Sequence, residues 1–163
     1  MHEKVNFEAI WRPDVTVATI VPRDGRFLVV EERVRSELVL NQPAGHLEPG
    51  ESLLEAALRE TLEETAWRVA LTDFIGAYQW ATLDGSQHFL RFTFAARPLA
   101  HDAGRALDTG IVATHWMSRD EIAAQSARLR SPMVLGNVDD WIAGARFPLA
   151  AVRSLLPAPA ESG

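Results

Sequence analysis

Glu60, Glu63 and Glu64 stand at positions i, i+3 and i+4 of a segment with helical periodicity, and they crowd its last turn. Like charges at those offsets each cost about 0.2–0.5 kcal/mol, and the negative end of the helix dipole adds a comparable penalty. A cation held between the carboxylates reverses the sign of both terms. Several carboxylate oxygens converging on one patch are hard ligands of the kind that suit Mg²⁺ or Mn²⁺, and a phosphate ester would complete the coordination. Arg59 follows Glu55 and precedes Glu63 by four residues each, so its guanidinium can pair with either and hold a carboxylate in orientation.

The cluster sits at the end of a longer pattern. Gly45 is followed after five residues by Glu51, after seven more by Arg59-Glu60, and after two more by Glu63-Glu64. That run, from Gly45 to Trp67, resembles the Nudix box of the Nudix hydrolase family. The resemblance implies an α/β fold, a Nudix-type α/β/α sandwich with a mixed β-sheet. It implies a strand-loop-helix in which the Gly45 carbonyl, Glu60, Glu63 and Glu64 hold divalent metal while water attacks a phosphorus atom of a diphosphate. Mg²⁺ is the expected cofactor, with Mn²⁺ as a substitute. Glu60 is the first choice for the base or for aligning that water, with metal ligation as its other role, and Arg59 and Glu63 complete the expected catalytic set. Glu51 is expected to act on the cluster electrostatically from one step away.

Two positions depart from the box. Ala66 stands where the family usually has glycine, and Thr61 stands at an aliphatic position. A left-handed conformation at Ala66 would carry strain on the order of 1 kcal/mol. The methyl of Thr61 can still face a core.

Outside the box, Asn41-Gln42-Pro43-Ala44-Gly45-His46-Leu47-Glu48, Gln79-Trp80, Phe89-Leu90-Arg91-Phe92, Arg130-Ser131-Pro132 and Arg146-Phe147-Pro148-Leu149 are similar to a bacterial phosphatase subgroup of that family. This implies removal of the terminal phosphate from nucleoside di- and triphosphates and from thiamin-pathway diphosphates. Arg91 is a candidate phosphate contact, and Gln42 and Gln79 are candidates for reading a base or pyrimidine edge. Trp80, Phe89 and Trp116 are aromatics that either stack on substrate or pack a core. Asp102 and Asp108 precede the last strand, where some family members place a further acidic ligand or base. Two alternatives stay open: cleavage of the inner linkage of ADP-ribose or nucleotide-sugar substrates, and a nucleotide-sensing domain without turnover.

The elements that must position these groups are legible from periodicity and turn chemistry. Val15 to Val21 and Phe27 to Val30 flank Arg23-Asp24-Gly25-Arg26 and are expected to form a hairpin. Leu38 to Asn41 fits a short strand before the Pro43 and Gly45 loop. Ser52 opens the helix, which would pack through Leu54, Ala57, Leu58, Thr61 and Leu62 and leave Glu60, Glu63 and Glu64 free on the other side. Ile75 to Leu83 and His88 to Ala96 flank Asp84-Gly85, a second hairpin. Ile111 to Met117 is a further strand, Ser118 to Glu121 carries a capping box, and Ser131-Pro132 is expected to open a helix through Trp141.

Composition removes other classes. The 163 residues are 47% hydrophobic and 23% charged, enough for one domain with its own core, taken as residues 1–156 with a flexible tail at 157–163. A net charge of −6 opposes binding to a nucleic acid polymer, which rests on cationic side chains, but not to a small phosphorylated substrate with its own metal. The chain has no cysteine, which excludes disulfides and a thiol nucleophile and fits a cytoplasmic protein. No apolar run approaches the ~20 residues of a membrane span. His46, His88, His101 and His115 lack metal-binding spacing, and no P-loop or serine nucleophile motif is present. Nothing in the sequence specifies a subunit number.

Overall fold

The computed structural model describes residues 10–157; the expected tail lies, from residue 158 onward, outside them. Its elements run β1 (Asp14–Ile20), β2 (Pro22–Arg23), β3 (Arg26–Val34), β4 (Glu37–Asn41), β5 (Ala44–His46), α1 (Leu53–Thr65), β6 (Trp67–Ala81), β7 (His88–His101), β8 (Ile111–Met117), α2 (Arg119–Ala124) and α3 (Met133–Ile142). One sheet has the order β5-β1-β7-β6, mixed because β1 and β7 are parallel while the other pairs are antiparallel. In the second, β3 pairs with β2, β4 and β8.

Strand β1 is covered on both faces: Thr16, Val17, Ala18, Thr19 and Ile20 are all buried, as expected for a strand lying between helical layers. On one side Val17 and Phe94 pack with Ala56 and Ala57 of α1. On the other, Ile20, Val29 and Leu40 pack with Ile122 of α2 and with Val134 and Val138 of α3. The expected α/β/α layering with a mixed sheet is therefore present.

The first hairpin is shorter than its sequence suggests. Asp24 and Gly25 take positive φ, 50° and 73°, as a tight two-residue turn requires. Pairing covers only Pro22↔Phe27 and Arg23↔Arg26, together with a Leu28 N–H bond to the Val21 carbonyl at 3.0 Å. Pro22 has no N–H for a ladder, and β1 departs into the other sheet at that point. The second hairpin is longer than expected. Strand β6 begins at Trp67, and register shifts between Arg68/Val69, Leu71/Asp73 and Phe74/Gly76 break the alternation by which its first half could have been read.

Helix α1 begins as its sequence predicts. Ser52 and Glu55 form a reciprocal capping box, Ser52 N to Glu55 Oε2 at 2.7 Å and Glu55 N to Ser52 Oγ at 3.2 Å. Its packing face differs from expectation. Leu58 is 39% exposed, whereas Glu60 and Glu64 are buried together with Ala56, Ala57, Thr61 and Thr65. Small alanines and threonines let the helix lie close to β1, and Thr61 Oγ1 bonds to Thr19 Oγ1 at 2.8 Å as well as to the Ala57 carbonyl at 2.7 Å.

The helix ends at Ala66, whose φ of 58° and ψ of 12° place it in the left-handed region, with its N–H on the Leu62 carbonyl at 2.9 Å. A Cβ is strained there, so Ala66→Gly is expected to stabilise the protein by up to about 1 kcal/mol, less the extra freedom glycine gives the unfolded chain. Thermal unfolding checks this: a rise of roughly 2–4 °C per kcal/mol is expected for a chain of this size.

Candidate active site

The site is built where the C-terminal half of α1 meets the edge strand β5. Gly45 pairs with Val17 in the β1–β5 ladder, and a Cβ added at Gly45 would land on the carboxylate of Glu60. Glycine leaves room here for that carboxylate to lie against the strand, a matter of close approach and not of backbone conformation. Glu64 reaches the same strand from one position further round: its Oε2 accepts the Ala44 N–H at 2.9 Å.

Arg59 is the organiser. Its guanidinium donates twice to Glu51, Nε to Oε2 at 2.9 Å and Nη2 to Oε1 at 2.7 Å. Nη1 donates to Glu60 Oε1 at 2.8 Å and to Glu63 Oε2 at 3.1 Å, and Nη2 also reaches the His46 carbonyl at 3.0 Å. Glu55, an expected partner, is not among these, because its carboxylate is committed to the helix N-cap. One arginine thus fixes three carboxylates and ties α1 to the loop after β5, the kind of outer support that orients metal ligands.

Carboxylate oxygens of Glu60, Glu63 and Asp108 lie within 4.8 Å of one another. Asp108 arrives from the loop between β7 and β8, which is pinned to the helix end by its own N–H on the Glu63 carbonyl at 3.0 Å. Glu64, expected as a ligand with Gly45, is not in that group of three, and Asp102 is not either. Asp102 instead donates its N–H to the Ala66 carbonyl and accepts the Gly104 N–H, at 2.9 and 3.2 Å. Three oxygen donors of like charge at this separation could hold a divalent cation.

The electrostatics agree with a place for positive charge. Burial raises the pKa of Glu60 above the ordinary carboxylate value, although the Arg59 hydrogen bond opposes it. Burial pushes Glu64 up to about 9, against the pull of the Ala44 N–H, with the charges of Glu32, Glu60 and Asp108 adding to the rise. Glu51 is held below the usual range by its bonds from Arg59.

A stability consequence follows for the metal-free protein. A carboxyl whose folded value lies above its unfolded value binds its proton more tightly when folded, so the stability it contributes is full below pH ~4.5 and is lost as pH rises toward about 9. In EDTA the melting temperature is therefore expected to fall by several degrees between pH 5 and pH 8.5, and Glu64→Gln should flatten that slope. A divalent cation should flatten it as well by replacing the protons. A slope that is flat in wild type with EDTA contradicts the assignment.

Beside this cluster a cleft of about 160 Å³ is lined by Ala44, Gly45 and His46 at one end and by Trp80 and Phe89 at the other, with Arg91 and Thr16 between them. Trp80 and Phe89 stack at 5.6 Å with an interplanar angle of 20°. Arg91 is only 5% exposed, where a surface ion pair is impossible, and burial lowers its pKa to about 10. Its Nη1 donates to Gln42 Oε1 at 3.4 Å.

Not every expected binding residue reaches the cleft. Gln42 is fully buried, with its amide shared between Arg91 and the Val134 carbonyl, so it supports the arginine. Gln79 is exposed and does not line the cleft; it borders a second depression with Trp11 and His88 on the far side of Trp80 and Phe89, which line both. Trp116 lies elsewhere, under the guanidinium of Arg23 at 3.9 Å and edge-on to Trp67. Conversely, Thr16, Asn41 and Ser131 line the cleft and were not singled out from sequence, although Asn41 and Ser131 lie inside the motif strings quoted above.

A sequence profile of the NUDIX domain matches residues 11–135. Phosphatase NudJ of Escherichia coli K12 is 41% identical over 143 residues, 88% of this chain and 92% of that protein. A NUDIX hydrolase structure from Nitrosomonas europaea superposes with a TM-score of 0.86 at 44% identity, covering 88% of this chain and 97% of that one. The MutT protein of Methanosarcina mazei Go1 superposes with a TM-score of 0.66 at 18% identity, covering 85% and 100%, a likeness of fold alone.

Proposed function

The chain belongs to the Nudix hydrolase family, and from that premise we propose that it is a Mg²⁺-dependent phosphatase, served also by Mn²⁺, that removes the terminal phosphate of small di- and triphosphates. Nucleoside di- and triphosphates and thiamin-precursor diphosphates are the substrate classes. The observation that carries the reading is the position of Gly45, whose would-be Cβ meets the Glu60 carboxylate while the residue lines the cleft that holds Arg91. Acid cluster and organic-group cleft are thus two sides of one short strand.

In this reading Glu60, Glu63 and Asp108 hold the cation, with Glu64 and the Gly45 carbonyl as neighbours able to join them. The cation would polarise the phosphoryl oxygens and neutralise charge on the leaving group. Glu60 accepts a proton from the attacking water. Its burial supports this role by raising its pKa, which makes it a stronger base than an ordinary carboxylate. Arg59 keeps Glu60 and Glu63 in place, and Arg91, in the cleft beside them, contacts the substrate. The 41% identical relative from Escherichia coli is a phosphatase, which supports phosphatase chemistry here. The converging carboxylates weigh against a sensor without turnover. Among the described residues no helix is long and apolar enough to cross a membrane; together with the absence of cysteine this supports a cytoplasmic setting.

Phosphorus NMR of the products tests the reading. With Mg²⁺ and a nucleoside triphosphate, inorganic phosphate and the nucleoside diphosphate are expected first. Release of diphosphate with a nucleoside monophosphate, or two organic phosphates from ADP-ribose at a higher kcat/KM, would replace terminal-phosphate removal with linkage cleavage.

A further inference from the structure

Among the described residues, five buried side-chain polar atoms lack a hydrogen-bond partner: Thr16 Oγ1, Asn41 Oδ1, Arg91 Nε, Ser131 Oγ and Asn137 Nδ2. The first four belong to residues that line the one cleft beside the carboxylate cluster. Buried polar groups are almost always partnered. These four residues are 4 to 6% exposed and come from β1, β4, β7 and the segment before α3. No single local distortion leaves four separate elements with open hydrogen bonds at the same place. A ligand in the cleft can supply the missing partners of all four in place of ordered water.

The character of the atoms restricts that ligand. Asn41 Nδ2 donates to Glu32 Oε1 at 3.5 Å, which fixes the amide and leaves its oxygen as the open group. That oxygen can only accept, so the ligand must carry an N–H or O–H. Arg91 Nε–H can only donate, so the ligand must also carry an acceptor, while the hydroxyls of Thr16 and Ser131 can serve either way. A phosphate group meets only half of this demand: Arg91 and Arg130 would attract it, with Arg130 offsetting Glu32 at 3.6 Å, but a phosphate dianion has no proton to give Asn41. The stacked pair Trp80 and Phe89 adds an apolar surface for a flat ring.

We infer that Asn41, Ser131 and Thr16, with the Nε–H of Arg91, form a recognition subsite for an amino-substituted heteroaromatic ring joined to the phosphate chain. Asn41 accepts the exocyclic amine, Arg91 donates to a ring nitrogen or carbonyl, and the two hydroxyls close the remaining bonds. Ring reading thus falls to Asn41 and not to its neighbour Gln42, whose amide is already shared between Arg91 and Val134. The inference rests on the phosphatase reading for where the phosphates lie, but the preference for an amine does not depend on turnover.

Calorimetric titration of the full chain in Mg²⁺ with cytidine 5′-monophosphate, and with its analogue bearing hydrogen in place of the 4-amino group, separates the two. The wild type is expected to bind the amino compound about tenfold more tightly, the equivalent of one well-made hydrogen bond. Asn41→Leu should erase the preference, and Ser131→Ala and Thr16→Val should each weaken the amino compound severalfold. The last two carry the test if Asn41→Leu does not fold. Equal affinity of the wild type for both compounds, no binding of either, or a preference that survives Asn41→Leu overturns the inference. Phosphate release from the two corresponding triphosphates without preference would remove the ring subsite and leave the hydrolase standing; preferential binding without any phosphate release would do the reverse.

Discussion

Glu60→Gln is expected to lower kcat by roughly 10²–10⁴ while changing KM little, the loss associated with removing a positioned base. The amide keeps an oxygen for the Arg59 Nη1 that now reaches Glu60 Oε1 at 2.8 Å, so the surrounding lattice of bonds should survive. A second effect of opposite sign accompanies the first. Because burial disfavours the charged carboxylate, the neutral amide should raise the stability of the metal-free protein at pH 8. Activity lost with stability gained distinguishes a chemical role from simple damage. Steady-state kinetics beside thermal melts in EDTA measure both, and retention of wild-type kcat removes Glu60 from the reaction.

Gly45→Ala is expected to be nearly as severe, although it adds one methyl group and removes no functional group. The new Cβ occupies the space of the Glu60 carboxylate, and Gly45 has no positive φ to add backbone strain. Either Glu60 moves out or β5 moves away, and a displacement of about 1 Å in a catalytic group costs on the order of a hundredfold in rate. A drop in kcat/KM of at least about that size is expected, with affinity for Mn²⁺ reduced in parallel and far-ultraviolet circular dichroism unchanged. Near-normal turnover would show that the contact between Gly45 and Glu60 is dispensable.

The sequence carried the local parts of the fold well and the long-range parts poorly. Capping boxes at Ser52 and Ser118, the turn at Asp24-Gly25 and the strand from Ile111 depend on neighbours within a few residues, and each formed where its residues indicate. The buried face of α1 was misread because helical periodicity scores Leu58 as core and Glu60 and Glu64 as solvent. The packing is set instead by small side chains, Ala56, Ala57 and Thr61, and by a strand edge that takes carboxylates. The first half of β6 was hidden by its three register shifts. Arg59 was identified, but its partner Glu51, eight residues away in sequence, outcompetes Glu55 because Glu55 is needed at the cap. Asp108 could be flagged only as an acidic residue in a loop, since nothing local indicates that its loop docks on Glu63. The same holds for the cleft, whose open polar atoms come from four elements scattered between residues 16 and 131.

The account stands on a divalent cation shared by Glu60, Glu63 and Asp108 beside Gly45. Anomalous diffraction from crystals grown with Mn²⁺ locates that ion. It should lie among those three carboxylates, with oxygen distances of roughly 2.1 Å, and it should be lost in Glu63→Gln. A manganese peak elsewhere on the protein, with the three carboxylates splayed apart and bonded only to solvent, would contradict it.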